Sequence, residues 1–256
     1  MKSLIAFVKK EFVYQLRSPR LLVIGIIFAA LGVMNPAVAK ITPLLFEMLS
    51  DVLEQSGMAV TEVTVSALDS WAQFFKNMPM GLIAFVLFES NIFTKEYRSG
   101  TLVLSLTKGL ERYKVVIAKS AVLALLWTAA YWMSFVITYV GNTIFWDNSV
   151  AQHLGFSAIC GWLFGIWIIS LILLFSTIAN SNTGVLLGTG GVVFASSLFS
   201  LLPKINKFFP TFLSDGTALV YGMSEVKPYI FAVIVTSFLT VIAFAVSIPV
   251  FNKKQL

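Results

Sequence analysis

The sequence carries little charge, and long stretches of it carry none. Only 12% of its 256 residues are charged, about half the share that is usual in a soluble domain. So few charged side chains cannot cover a surface that faces water. Hydrophobic residues make up 58% of the chain, and they recur in runs long enough to cross a lipid bilayer. The sequence therefore predicts an integral membrane protein.

Cysteine and histidine are nearly absent, which excludes several kinds of site. The single cysteine, Cys160, cannot form a disulfide within the chain, and the single histidine, His153, cannot form a His-paired metal site. Walker A, G-x-S-x-G and H-E-x-x-H patterns are also missing. We therefore expect no metal site, no catalytic residues and no cofactor or ATP bound by this chain alone.

The apolar runs favour transmembrane helices over the short alternating strands of a membrane barrel. The sequence predicts an all-α protein in which an amphipathic elbow helix over 1–20 lies in the membrane interface. One transmembrane domain follows over 21–256. A loop over 39–76 and a proline-bearing, re-entrant segment over 203–228 interrupt it. The six predicted spans are 21–38, 77–93, 115–140, 154–179, 184–202 and 229–251.

The distribution of basic residues predicts which side of the membrane each loop faces. Thirteen of the 18 Lys and Arg residues lie before the first span, in 94–119 or in the C-terminal tail. Basic residues gather on the cytoplasmic side of membrane proteins. Both termini and the polar segment 94–114 are therefore predicted to be cytoplasmic. The loop over 39–76 and the segment 203–228 are predicted to be outside.

Three residues within the predicted spans allow two interpretations each. Glu89 is the one acid inside a span, and an intramembrane acid is costly enough to suggest gating or transport. It also lies near the cytoplasmic interface, where it is expected to reach Lys95 or Arg98 and form a structural ion pair. Trp127 and Trp132 either pack within the bundle or line an apolar pathway.

Glycines at helical spacing indicate close contacts between helices. The fourth predicted span contains Gly161 and Gly165, and the fifth contains Gly184, Gly188 and Gly191. A glycine every fourth residue lets two helix backbones approach closely. The partner helix belongs either to the same chain or to a second copy of the protein.

The most unusual stretch of the sequence is KEYRSGTLVLSLTKGLERYKVVIAK, which covers 95–119. Gly100 breaks the chain after the second span, and Thr101 is placed to cap a short helix. The leucines that follow predict an apolar patch facing the cytoplasm. A loop that is only solvated does not need these leucines, so the sequence predicts a docking surface.

This stretch resembles the permeases of type-two ABC exporters, which include bacitracin-resistance and nitrous-oxide-reductase maturation permeases. In that family an acid, Gly-Thr-Leu, an arginine and a lysine lie between spans two and three. KKEFVYQLRSPR also resembles the family's elbow helix. The turn after the leucines departs from the family, because Gly109–Leu110 stands where a proline is usual. The matching positions here are Glu96, Gly100, Thr101, Leu102, Arg112 and Lys119.

The resemblance implies a multi-pass permease of a prokaryotic plasma membrane, and it assigns roles to two segments. Two permease chains, either identical or paralogous, would surround one pathway in the lipid. Two copies of a cytoplasmic ATPase subunit, which bind ATP and Mg²⁺, would drive them by alternating access or lateral extrusion. No nucleic acid is implied. The residues expected to couple to the ATPase are Glu96, Arg98, Gly100, Thr101, Leu102, Leu104, Lys108 and Arg112, with Lys9, Lys10, Glu11 and Arg17 in the elbow helix.

Other functions stay open on the sequence alone. An ion channel or ion-coupled carrier would need several intramembrane charges, and an intramembrane enzyme would need a catalytic constellation. The aromatic, apolar spans suit an amphipathic peptide, a hydrophobic drug or a lipid as the exported substrate. The acidic loop over 39–76 either favours cationic substrates or is an ordinary solvated surface.

Overall fold

The computed structural model describes residues 2–55, 64–107 and 109–254, and within these ranges the chain contains helices and no strands. This confirms the all-α prediction. The α-helices are α1 (Lys2–Leu16), α2 (Pro19–Gln55), α3 (Ala67–Glu89), α4 (Thr94–Ser99), α5 (Thr101–Thr107), α6 (Arg112–Phe145), α7 (Leu154–Ile178), α8 (Asn182–Ser200), α9 (Thr217–Val220) and α10 (Val226–Lys253). Short 3-10 helices cover Asn148–Val150, Asn206–Phe208 and Pro210–Ser214.

Five of the described helices are long and apolar enough to cross a membrane, namely α2, α6, α7, α8 and α10. Helix α3, which contains the second predicted span, is long enough but is not among them. It carries Asp69, Lys76 and Glu89 along its 23 residues. The number of six spans therefore stays a prediction. We call the end of the bundle that carries α1, α4 and α5 the elbow end, and the opposite end the far end.

Helix α7 lies in the core, where it packs against α6, α8 and α10. Two of its glycines leave room for large aromatic side chains of α6. A Cβ atom at Gly165 would lie 2.2 Å from the Trp127 ring, and one at Gly161 would lie 2.8 Å from the Tyr131 hydroxyl oxygen. Non-bonded atoms do not approach so closely, so neither position has room for a side chain. The glycine spacing in α7 therefore serves packing within one chain.

Helix α2 continues well beyond the end of the first predicted span. Residues 39–55 are helical and α3 begins at Ala67, so much of the segment predicted as an outer loop belongs to the two long helices α2 and α3. Pro36 does not end α2, although proline lacks the N–H that would bond the carbonyl four residues earlier. That carbonyl, of Gly32, accepts a hydrogen bond from the Thr138 hydroxyl at 3.0 Å. A side chain of α6 thus replaces the missing donor.

The segment between α3 and α6 folds as two short helices separated by a glycine. Gly100 adopts φ +68°, a left-handed conformation that favours glycine, and α5 begins at the next residue. The predicted break is therefore observed. Thr101 does not cap α5 in the expected way, because its hydroxyl pairs with the Ser99 hydroxyl at 2.8 Å. Lys108 lies outside the described residues.

Candidate functional site

Four charged side chains from three helices meet at the elbow end. Lys119 of α6 places its Nζ atom 2.9 Å from a carboxylate oxygen of Glu11 in α1 and 2.9 Å from one of Glu96 in α4. Lys10 lies 2.7 Å from the other Glu11 oxygen and 3.0 Å from the other Glu96 oxygen. Positive and negative groups alternate around this ion cluster, so each carboxylate contacts both lysines. The cluster ties the elbow helix to α4 and α6.

Most of the ion cluster is buried. The side chains of Lys119 and Glu11 are only 1% and 3% exposed, and Lys119 also donates to the Ile92 carbonyl at 3.1 Å. Burial alone would raise the pKa of Glu96, but Lys119 and Lys10 outweigh it and hold that pKa below its ordinary value. Burial would likewise lower the pKa of Lys10, yet Glu11 and Glu96 raise it. Glu96 and Lys10 are therefore both charged at neutral pH.

A second polar group adjoins the ion cluster and contains Glu89. Its carboxylate accepts a hydrogen bond of 2.6 Å from the Gln15 amide of α1, and the side chain is buried. Arg20, at the start of α2, donates to Asn91 Oδ1 at 2.5 Å. The expected ion pair of Glu89 with Lys95 or Arg98 is wrong. The carboxylate of Glu89 is bound instead by the amide of Gln15 in the elbow helix. Gln15 lies one helical turn after Glu11, on the same face of α1.

The ends of other long helices are bound at the same end of the bundle. Arg112 donates to the carbonyls of Phe251 and Lys254 at 2.9 and 2.5 Å, and so caps the last turn of α10. Lys254 donates to the Ala179 carbonyl at 2.7 Å after α7. The Tyr97 hydroxyl donates to the Ser176 carbonyl of α7 at 3.0 Å. These donors satisfy carbonyls that a helix end leaves unpaired.

Only part of α5 faces solvent. Leu102 is 1% exposed and belongs to the hydrophobic core, so its predicted place on a docking patch is wrong. Helical geometry turns Leu104 away from the core, and it is 58% exposed, while Val103 is 40% exposed. Leu106 packs against the core. The exposed apolar surface of α5 is thus Val103 and Leu104, which Leu102 anchors to the bundle.

The remaining coupling and elbow residues lie around this surface. Lys9 and Arg17 are exposed on or just after α1, whereas Lys10 and Glu11 belong to the ion cluster. Arg98 is exposed at the end of α4. The residues that were predicted to couple to the ATPase therefore fall into two groups in the structure. Some are exposed, and the others hold helices together.

The aromatic residues suggested for a pathway lie in the packed interior instead. Trp127 is 1% exposed, its ring contacts Phe28 and Phe85, and its Nε1 donates to the Trp162 carbonyl at 3.0 Å. Trp132 is half-buried beside Phe135. In this chain Trp127 is a core residue, as the packing interpretation expects.

The glycines of α8 divide into two groups. A Cβ atom at Gly188 would lie 2.3 Å from the Phe175 ring of α7, and one at Gly184 would lie 2.9 Å from Ala179. Both therefore serve contacts within the chain. Gly190 and Gly191 face open space, where a Cβ atom would meet nothing within 4 Å. Large apolar neighbours on the same helix, such as Leu187 and Phe194, are 72% and 65% exposed.

An apolar groove runs between α3 and α8, with α7 at its base and a volume of about 430 Å³. Ile83, Val86 and Leu87 of α3 form one wall. Leu186, Thr189, Gly190 and Val193 of α8 form the other. Ser197, Thr211 and Ser214 add hydroxyl groups toward the far end. We call this the α3–α8 groove.

Several residues of the site were not singled out from the sequence. Gln15, Arg20, Asn91 and Lys254 are polar residues near the ends of apolar runs, where interfacial anchoring is the usual explanation. Their partners lie on other helices, as with Gln15 and Glu89, which are 74 residues apart. The one available signal was the helical spacing of Glu11 and Gln15 on one face of α1.

The fold and this site define an all-helical membrane protein whose N-terminal helix α1 is bound by a buried ion cluster to α4 and α6. A family model described as ABC-2 family transporter protein matches residues 5–256, and the chain belongs to that family. It is a membrane permease of an ABC transporter, a component that normally works with an ABC ATPase subunit. The family expected from the sequence is thereby confirmed, and the narrower likeness to the bacitracin-resistance class stays a prediction. No curated protein and no solved structure matched the chain.

Proposed function

We propose that this chain is the membrane-spanning subunit of an ATP-driven exporter in a prokaryotic plasma membrane. Two copies, or one copy and a paralogue, form the translocation pathway, and two copies of a separate ATPase subunit drive it from the elbow end. The elbow end then faces the cytoplasm, in agreement with the distribution of basic residues. The chain itself contributes no ATP site; ATP and Mg²⁺ belong to the ATPase.

The observation that carries this proposal is the way in which the ion cluster joins α1, α4 and α6 beside α5. Val103 and Leu104 offer an exposed apolar contact, and Leu102 fixes the same short helix to the core. A force on α5 is therefore transmitted to α4. From Glu96 of α4 the force is transmitted to α1 through Lys10 and to α6 through Lys119. Such an arrangement suits a surface on which a motor subunit acts.

The α3–α8 groove supports the proposed pathway. It is lined mostly by apolar side chains, with the Thr189 hydroxyl on its α8 wall and three further hydroxyl groups toward the far end. Gly190 lies on its α8 wall, and the open face that Gly190 forms with Gly191 suits close approach by a second copy. The groove also suits an amphipathic or hydrophobic substrate, since it offers little to a small hydrated ion.

The docking role is tested with Leu104→Asp in a chain that is expressed with its ATPase. A buried carboxylate at a protein interface is costly, so co-purification of the ATPase should fall at least about tenfold, and stimulated ATP hydrolysis should fall with it. Met223→Asp is the matched control, because Met223 is 78% exposed in a turn at the far end. It should leave both measurements unchanged.

Thermal melting of both variants distinguishes loss of docking from loss of folding. Leu102→Asp is unsuitable here, since Leu102 is buried and its replacement by a charge disrupts the core. If Leu104→Asp keeps normal melting and still binds and stimulates the ATPase like the unmodified chain, α5 is not the docking surface and the proposal is wrong.

A further inference from the structure

A second cavity, of about 510 Å³, lies at the elbow end and is lined by three basic residues and no acid. We call it the basic pocket; it is lined by Arg20, Asn91, Thr94, Lys95, Arg98, Ser99 and Asn182. Within the described residues, Arg20, Lys95 and Arg98 form no ion pair. Lys95 donates to the Tyr14 hydroxyl, and the guanidinium of Arg20 donates to uncharged oxygens. The lining of the pocket is thus net positive, with Glu89 close enough to Arg20 to interact with it electrostatically.

The N-terminus of α8 strengthens the positive charge of the basic pocket. Asn182 is the first residue of this 19-residue helix, whose Gly184 N–H is bound by the Ser181 hydroxyl, and the start of a helix carries partial positive charge. Thr94 and Ser99 add hydroxyl groups. Three cations, a helix N-terminus and small polar side chains are the groups that bind phosphate and other oxyanions in proteins.

The basic pocket lies at the end of the α3–α8 groove. Leu87 lines the groove, and Asn91, four residues later, lines the pocket. On the opposite wall Leu186 lines the groove, and Asn182, four residues earlier, lines the pocket. Along α8, four residues are about one helical turn, or roughly 6 Å, and Asn91 lies just after the end of α3 at Glu89. The two cavities share no lining residue, but on both walls their lining residues lie four positions apart, so apolar lining gives way to polar lining over a short distance.

We propose that the α3–α8 groove and the basic pocket together form one binding site for an anionic amphiphile. The hydrocarbon chain lies in the groove, and a phosphate or another oxyanion lies among Arg20, Lys95 and Arg98. The Thr189 hydroxyl, 2% exposed on the groove wall and without a hydrogen-bond partner in the described chain, is available to an acceptor on the ligand. Basic pockets between helices on the cytoplasmic side are known to bind lipid headgroups.

An anionic lipid fits these cavities better than an acidic peptide segment of the ATPase does. A peptide that filled the groove would bury backbone N–H and C=O groups against apolar walls without partners. A hydrocarbon chain carries no such groups. The assignment of this ligand as the exported substrate rests on the proposed function, whereas its binding does not.

The binding is tested on the purified chain without any ATPase. The chain in detergent is titrated with dioleoyl phosphatidylglycerol and, separately, with zwitterionic dioleoyl phosphatidylcholine, and native mass spectrometry counts the bound lipids. Each cation near a lipid headgroup accounts for about fivefold in affinity. We expect the unmodified chain to prefer phosphatidylglycerol, and Lys95→Gln and Arg98→Gln each to reduce the preference about fivefold. Lys253→Gln is the control, because Lys253 is exposed at the same end and outside the pocket.

A second pair of variants tests the groove. Gly190→Leu places a side chain in the groove, and Gly25→Leu places the same side chain on α2, outside the groove and the basic pocket. Neither Cβ atom meets another atom within 4 Å, so neither variant strains the fold. Gly190→Leu should lower the affinity for both lipids at least about fivefold, and Gly25→Leu should leave it unchanged.

Three results would overturn the inference. One is equal binding of the two lipids by the unmodified chain. The second is a preference that survives both charge substitutions. The third is a loss of ATPase co-purification in Lys95→Gln and Arg98→Gln while lipid preference stays normal, which would assign the pocket to the ATPase.

A transport assay then distinguishes an exported lipid from one that is only bound. It measures the transfer of labelled phosphatidylglycerol between the two leaflets of vesicles that contain the whole complex. Normal lipid binding with no ATPase association would reject the proposed function but keep this site.

Discussion

Replacement of Lys119 by methionine removes the central cation of the ion cluster. The Lys119 Nζ atom has three partners, the carboxylates of Glu11 and Glu96 at 2.9 Å each and the Ile92 carbonyl at 3.1 Å. Methionine has similar length, so the loss of packing is small. Two carboxylates then share Lys10 as their one remaining cation, and the cluster changes from neutral to a net charge of −1.

The expected cost is large because the charges that remain are buried. Removing one partner of a buried ion pair costs about 3–5 kcal/mol, since the other partner is left without compensation. In a chain of this size each kcal/mol changes the melting temperature by about 2–4 °C. Lys119→Met should therefore melt roughly 6–20 °C below the unmodified chain.

Cys160 provides the assay. It is the only cysteine in the sequence and is fully buried in α7, so a maleimide dye that fluoresces on reaction with a thiol reports unfolding in detergent. Lys114→Met is the control on the same helix, because Lys114 pairs with Glu111, which is 55% exposed, and such pairs contribute little. Adding Glu96→Gln to Lys119→Met restores neutrality and should recover part of the loss. A decrease below about 2 °C in Lys119→Met, or no recovery in the double variant, would refute the role of the cluster.

Three further predictions use the same melting assay. Gly188→Ala should destabilise the chain by about 1–3 kcal/mol, because the added Cβ atom collides with the Phe175 ring of α7. Gly191→Ala should leave the melting temperature unchanged, and equal effects of the two substitutions would contradict this prediction. Thr138→Val leaves the Gly32 carbonyl without its donor and should cost about 1–3 kcal/mol, and an unchanged melting temperature would show that another group replaces it. Because the lysines lower the pKa of Glu96 in the folded chain, its carboxylate stabilises the fold above about pH 4.3, and that stability is lost as the pH falls through the lowered pKa. Glu96→Gln should therefore reduce the loss of melting temperature in this acidic range, and an identical profile would contradict the lowered pKa.

The sequence was sufficient for the class of fold because bilayer thickness fixes the length of apolar runs. It was insufficient for helix ends, since these depend on distant partners. The predicted first span ends at residue 38, but α2 continues to Gln55, and at Pro36 the hydroxyl of Thr138, more than 100 residues later, supplies the hydrogen bond that proline cannot. Gly100 needed no partner, because its left-handed backbone is a local property, and its break was predicted correctly.

The same distinction applies to the candidate site. The stretch after Glu96 was found from its composition, yet composition could not tell which leucine of α5 faces the core. Leu102 and Leu104 differ by two residues, about 200° around a helix, so one is buried when the other is exposed. Glu89 was noticed as an intramembrane acid, but its partner Gln15 is uncharged and belongs to another helix. Pairings of this kind become visible only when the helices are packed.

The contacts at the elbow end also determine which helices move together. The ion cluster joins α4 to α1 and α6, Arg112 joins α6 to α10, and Tyr97 joins α4 to α7. Among the described residues, no side chain of α8 hydrogen-bonds to α3, α4 or α5. A displacement of α5 is therefore transmitted by these contacts to α1, α6, α7 and α10, and none of them includes α8. If the ATPase acts on α5, we expect the separation of Arg98 from the start of α8 to change, and with it the affinity of the basic pocket for an anionic headgroup.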